Sequence, residues 1–428
     1  MVEDEDQQDV VVVGAGAAGL LAAIRSAERG RRTLLLEKNR KAGVKILISG
    51  GTRCNLTHAC DARGIVEAFG SGGAFLHSAL AALGPDDVIE LIEAAGVPTK
   101  VEDTGKVFPA SDRALDVQRA LIDRLRQSGA KLALGEPVEH IERTGGAFRL
   151  QTPRRTLRAD KVVVTTGGQS YPGCGTTGDG YRWLTAQGHT IVRPRPALVP
   201  LTSDDPWVRS LQGVAVADAI VQVVDPATES IGRGNNRRAK KSGGALIERR
   251  GSILFTHFGL SGPAVMDVSR AVTASAAPEK LTLVIDLCPS QTAEELDSIL
   301  RRMSETEGGK LVVTQIAQQV PRRLADAIVI HAGAPEGRRA AELSKTERRA
   351  IVQQIKEQQI AIRGSLGFKK AEVTAGGVAL EEVDSRTMQS KLVPNLFIAG
   401  EILNLDGFIG GYNFQAAFST GWLAGSSV

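Results

Sequence analysis

Val10-Val11-Val12-Val13-Gly14-Ala15-Gly16-Ala17-Ala18-Gly19 is the stretch that decides the fold. Four β-branched residues in a row, with no polar alternation, read as a strand buried on both faces of a parallel sheet. The glycine turn follows at once, and Ala17 to Arg29 reads as a helix closed by Gly30. Thr33-Leu34-Leu35-Leu36 is a second buried strand, ending at Glu37. Strand, GxGxxG turn, helix and strand with a terminal acid form the βαβ unit that binds dinucleotides. Gly14 permits the tight turn, Gly16 lets the backbone approach a pyrophosphate, and Gly19 allows close packing of the helix. Ala15 and Ala18 line the same turn, whose helix N-terminus offers unpaired N–H groups and a positive dipole. Glu37 is placed to accept from the ribose hydroxyls, which favours FAD or NAD over a 2′-phosphorylated dinucleotide. The alternative is a packing turn with no ligand, which the strand, helix and acid together disfavour.

Composition bounds the rest. The 428 residues suffice for two or three domains, and 42% hydrophobic with 23% charged residues is ordinary for a globular chain. The net charge of +4 gives no reason to expect nucleic acid as the main partner. The acidic, polar start and the lack of a long apolar run predict a cytoplasmic protein with no signal peptide or membrane span. Cys54, Cys60, Cys174 and Cys288 show no CxxC, so neither a disulfide scaffold nor a metal site is expected.

Along the chain, helices are expected over Ala79 to Ala95 and over Ala114 to Ser128, the latter capped by Asp112. Short strands at 131–134, 138–143, 148–152 and 156–159 lead into a buried strand at Lys161 to Thr166. Pro194, Pro196 and Pro200 interrupt regular structure and suggest a boundary. Antiparallel strands and then a helical block follow, before strands return near the C-terminus.

Three further segments carry chemistry. Lys45 to Asn55 contains Ser49-Gly50-Gly51-Thr52-Arg53-Cys54-Asn55, where glycines admit a flat ligand and Ser49, Arg53 and Asn55 offer donors to phosphate or flavin oxygens. Thr166-Gly167-Gly168, then Gly178-Asp179, suit a second crossing near the dinucleotide, although Asp179 could simply cap a helix. Gly400-Glu401, Gly407 and Gly411-Tyr412-Asn413 place another helix N-terminus where negative charge develops on a reduced flavin.

The segments Ser49 to Thr57, Thr256 to Ala264 and Gly400 to Asn413 resemble the signatures of the BaiN/RdsA-like family, bacterial NAD(P)/FAD-dependent oxidoreductases that include aminoacetone oxidase-like and bile-acid reductase-like members. The resemblance covers nearly the whole chain. It implies an α/β fold: a Rossmann-type two-dinucleotide FAD-binding domain with an inserted β-barrel-like domain and a small inserted helical domain. The expected bounds are 1–193 and 373–428 for the FAD domain, 194–290 completed by 359–372 for the barrel, and 291–358 for the helices. It also brings Lys38 and Val138 into the cofactor set. Two departures stand out. Thr52 occupies a position usually held by a third glycine, and Gly232 to Gly244 carries Arg233, Arg237, Arg238, Lys240 and Lys241. That stretch reads as a solvated hairpin tip before it reads as an anionic-substrate or NADPH contact.

The expected activity is an FAD-dependent oxidoreductase acting on a small molecule, its flavin reduced by transient NADH or NADPH or by the substrate itself. An amine oxidase-like enzyme passing electrons to oxygen and a flavin-binding RNA-associated or regulatory protein are the alternatives. Catalytic residues are not legible. Tyr171 and His257 are the candidates for the substrate side, and Cys54 reads as a small packed residue.

Overall fold

The computed structural model describes residues 6–226 and 245–428; the basic stretch 232–244 lies outside them. Two compact units are present, Met1–Pro196 with Glu372–Val428, and Ala197–Ala371.

The first unit is organised by β1 (Asp6–Val13), α1 (Ala17–Glu28) and β2 (Thr33–Glu37). Strand β1 lies between β2 and the strand Thr156–Val164, parallel to both, with Val10 opposite Thr33 on one side and Lys161 on the other. The sheet continues beyond β2 to Lys131–Leu134, also parallel. The strand Thr156–Val164 is one continuous element where two short strands were expected. Its first half pairs with the antiparallel strand Ala147–Gln151, and its second half with Leu396–Ile398. A single strand thus carries both an antiparallel excursion and the return of the distant C-terminal segment. Val10, Val11 and Val12 are fully buried, as a two-faced parallel strand requires.

Several local expectations are corrected. The helix expected over 79–95 is two, His77–Ala82 and Pro85–Ala94, because Pro85 has no N–H to continue the first and serves as N1 of the second. Asp112 does not cap the following helix, whose N-cap is Arg113; Asp112 has φ 54° and pairs with Lys100 and Arg53. Pro194 and Pro196 do not interrupt structure. They sit within the strand Ile191–Ala197, which among the described residues pairs only with Val373–Val378, so an absent N–H is tolerated.

The second unit holds a seven-stranded sheet in the order Gln358–Ala361, Thr282–Asp286, Ala215–Val224, Ala245–Thr256, Gly259–Ser261, Leu201–Thr202, Gly364–Ser365. Among the described residues, every strand pairing in it is antiparallel. Its two edge strands are consecutive in the chain, joined through Ile362 and Arg363, so the sheet must curl to bring its edges together. One hydrophobic cluster runs from this sheet (Val221, Phe255, Ile285) into the helices that carry Leu300, Leu324 and Ile351.

Candidate functional site

The glycine turn shows two different uses of glycine. A Cβ on Gly19 would lie 1.8 Å from the Gly14 carbonyl oxygen, so the entry of α1 into the turn tolerates no side chain. A Cβ on Gly16, the N-cap of α1, would meet no protein atom within 4 Å. Packing within the protein therefore gives no reason for glycine at that position. A ligand against the helix N-terminus does, and the donor set fits a pyrophosphate. Gly14 has φ 103° and its N–H donates to the Leu36 carbonyl. Ala18 packs against the C-terminal helix Tyr412–Ser427, where a Cβ on Gly421 would strike the Ala18 backbone.

Glu37 ends β2 with its carboxylate accepting from the Ala15 N–H and the Asn39 N–H, each at 2.8 Å. Burial pushes its carboxyl up, and these two bonds oppose that. The acid is thereby fixed beside the turn at the end of β2, with acceptor capacity left for ribose hydroxyls. Glu136 donates its N–H to the Glu37 carbonyl, which brings the buried Val138 segment to the same end of the sheet. Lys38 reaches Thr177 at 2.6 Å and Asp179 at 2.5 Å, tying the loop after Gly168 to the end of β2. Asp179 is the first residue of the helix Asp179–Ala186 and Gly178 its N-cap, so the aspartate serves this ion pair rather than a side-chain cap.

Residues 44–52 form α2 (Val44–Thr52), with extended backbone at Ser49 and left-handed backbone at Gly50 and Gly51. Within it, Ser49 Oγ donates to the Ile46 carbonyl. Thr52 has φ 72°, a region that favours glycine, which accounts for the family's usual residue there. Arg53 stacks over the Phe108 ring at 4.0 Å and pairs with Glu102 at 2.7 Å and Asp112 at 3.4 Å. Its guanidinium is thus held by carboxylates and a ring within the protein. Cys54 is fully buried and its thiol is pushed up to about 12, so it is a packed residue rather than a nucleophile. Asn55, with its amide turned to suit its neighbours, donates to Thr57 and Val107 and accepts from the Gly411 N–H at 2.9 Å. That bond joins the second glycine segment to the start of the last helix, hundreds of residues later in the chain.

Around Lys45 a polar cluster converges. Its Nζ donates to Ser170 Oγ at 2.7 Å and to Glu401 at 2.5 Å, and Ser170 Oγ donates to the other Glu401 oxygen at 2.7 Å. The Thr374 N–H also donates to Glu401, while Thr374 Oγ1 accepts from the N–H groups of Gln169 and Ser170. Gly168 leaves room for Thr374, whose hydroxyl a Cβ there would strike. Gly167 has φ 73°, and the neighbouring Thr166 hydroxyl is buried without a hydrogen-bond partner among the described residues. Gly400 donates its N–H to Thr420. Asn413 accepts from the Gly407 N–H and donates to the Gly407 and Phe408 carbonyls, shaping the loop before the helix. Tyr412 stacks on His58 at 4.6 Å.

The HI0933-like protein Rossmann domain matches residues 8–427. The chain belongs to the HI0933-like family. It is an FAD-dependent oxidoreductase by class. A ribosomal RNA dihydrouridine synthase of Escherichia coli is 30% identical over 97% of this chain and 96% of its own. A 3-dehydro-bile acid delta(4,6)-reductase of Clostridium scindens is 29% identical over 97% and 98%. Among solved structures, Mycobacterium smegmatis Sdh1 covers 99% of this chain and 68% of its own at 17% identity and a TM-score of 0.50, a likeness of fold alone.

In this HI0933-like chain the two substrate-side candidates fall in different units. Tyr171, at φ 54°, opens the turn after Ser170 and so stands next to the Lys45 cluster in sequence and space. His257 belongs to the second unit, exposed and edge-to-face with Phe258 in the turn before Gly259. Sequence reasoning missed Ser170, Thr374 and above all Glu372. The Glu372 side chain reaches solvent, yet protein atoms crowd its carboxyl and push it up, with Lys45 and Lys106 acting in the opposite sense. No motif marks it; the only sequence signal is a lone acid directly before the apolar strand Val373–Val378.

Proposed function

We propose that this chain reduces a carbon–carbon double bond conjugated to a carbonyl, with NAD(P)H as electron donor and a uracil ring in RNA as acceptor. The observation that carries the reading is the end-to-end likeness to two relatives named for different molecules and one chemistry. Dihydrouridine is uridine with its ring double bond reduced, and a delta(4,6)-reductase of a 3-oxo steroid saturates a bond of the same electronic kind.

Such a reduction adds a hydride at the β carbon and a proton at the α carbon. Bound FAD, once reduced, supplies the hydride; the chain's own residues must hold the cofactor and deliver the proton. In this reading Gly14, Gly16 and Gly19 admit the pyrophosphate and Glu37 takes the ribose. Lys45 Nζ, oriented by Glu401, and the N-terminus of the last helix supply donors for the flavin oxygens. Glu372 is the group we assign to proton delivery, because burial of its carboxyl among protein atoms raises it above the usual carboxylate range, against the pull of Lys45 and Lys106. The charge balance that argued against nucleic acid is an average over the chain and is silent on any one surface.

The test is mass spectrometry of ribosomal RNA from cells with and without the gene. Loss of one dihydrouridine, restored by the wild-type gene but not by Glu372→Gln, supports the proposal. Unchanged dihydrouridine content would remove RNA as the acceptor.

A further inference from the structure

A cavity of about 430 Å³ lies wholly within the second unit, apart from every residue assigned above. Its walls come from the ends of four elements. Asp205 and Trp207 stand at the start of the helix Pro206–Ser210, and His331 ends the helix Arg322–His331. Gln353, Gln354 and Glu357 close the helix Lys345–Lys356, and Gln358 and Gln359 open the following strand.

Its chemistry is one-sided. Two carboxylates line it, and no lysine or arginine does. Among the described residues neither Asp205 nor Glu357 has an ion-pair partner, although nearby acids such as Asp204 and Asp286 are matched to Arg209 and Lys356. Two helices present their C-terminal ends here, where the backbone dipole favours positive charge. Trp207, held edge-to-face by His331 at 4.9 Å, adds an indole ring of the kind that receives organic cations. The two carboxylates and the two helix C-termini repel an anion, and a cation gains from both.

We infer that this cavity binds an organic cation, a guanidinium or alkylammonium group, presented either by a free amine or by an arginine or lysine side chain of a protein partner. The planar guanidinium is the better fit, since it stacks on an indole while its donors reach carboxylate and amide oxygens.

The indole N–H resonances of ¹⁵N-labelled holoprotein test this, because the chain has only three tryptophans and Trp207→Phe identifies the relevant one. Butylguanidinium is titrated against butylurea, its uncharged isostere. The expected result is a saturable shift of the Trp207 resonance with butylguanidinium alone. Asp205→Asn and Glu357→Gln should each weaken it about tenfold, the loss of one charge-assisted hydrogen bond, with FAD content unchanged. Spermidine and a blocked Gly-Arg-Gly peptide then separate the two sources: binding of the peptide points to a protein partner, binding of the amine alone to a free ligand. No shift at millimolar butylguanidinium, an equal shift with butylurea, or full binding by the double variant would overturn the inference.

Discussion

The glycine turn at 14–19 and the polar cluster around Lys45 both serve the first unit, yet they are built on opposite plans. The turn is largely local: six consecutive residues, set mainly by their neighbours in sequence and the adjoining strands, with Ala18 also packed on the C-terminal helix. The cluster draws Lys45, Ser170, Thr374 and Glu401 from segments far apart in the chain and holds them by hydrogen bonds to the Lys45, Ser170 and Glu401 side chains. The turn works through backbone, so substituting it acts on shape. The cluster works through charge, so substituting it acts on ionisation.

The sharpest way to break that contrast lies within the turn itself. Gly19→Ala drives a Cβ into the Gly14 carbonyl and should cost more than about 3 kcal/mol or prevent folding, as overpacking against rigid backbone does. Gly16→Ala meets open space and should leave the apoprotein's melting temperature within a degree or two, while FAD retention falls by about a hundredfold. Equal destabilisation by the two substitutions, measured by thermal unfolding of apoprotein, would remove the argument that Gly16 answers to a ligand.

In the cluster, Glu401→Ala strips acceptors from Lys45, Ser170 and the Thr374 N–H together and should lower stability by about 2 kcal/mol in urea unfolding. Lys45→Met with Glu401→Leu should recover part of that loss. A pair of additive single losses would mean that the groups are not coupled.

Glu372 gives the pH signature. Its folded carboxyl is held above the unfolded value, so the folded state binds the extra proton and stability falls as pH rises from the unfolded carboxylate range through the folded pKa. Glu372→Gln removes that dependence: the variant should melt higher than wild type at pH 8 and alike near pH 4, even as turnover is lost. A variant less stable than wild type at pH 8 would show that the carboxylate is favourably bound, contrary to its assignment as a crowded acid.

The smallest effect belongs to Thr52. A β-branched residue at φ 72° is strained, so Thr52→Gly should raise stability by about 1 kcal/mol despite glycine's greater freedom when unfolded. A loss instead would mean that the Thr52 hydroxyl, bonded to the Gly51 carbonyl, outweighs the strain.

What could be read beforehand follows the same division. The βαβ unit was legible because periodicity and glycine spacing are local signals, and Val10 to Glu37 folds as those signals direct. The break at Gly84-Pro85 is also written in the sequence, but the apolar periodicity on either side of it reads as one helix. Local rules offer Asp112 as a cap, and Asp179 as one alternative to a cofactor contact, whereas the partners of these acids, Lys100 with Arg53 and Lys38, are supplied by tertiary structure. Glu372 was invisible for a related reason. An acid before an apolar strand is ordinarily solvated, and only the folded chain crowds it beside Lys45 and Lys106.

The central claim is that electrons pass from a nicotinamide through this chain to a conjugated double bond, and the anaerobic half-reactions test it most directly. Holoprotein reduced with one equivalent of NADPH or NADH, then mixed without oxygen with a uridine-bearing ribosomal RNA fragment, should regain its absorbance near ~450 nm. Dihydrouridine should form in equal amount. A reduced protein that ignores the RNA and a simple conjugated enone alike, and reoxidises only in air with release of peroxide, would contradict the account and mark the chain as an oxidase.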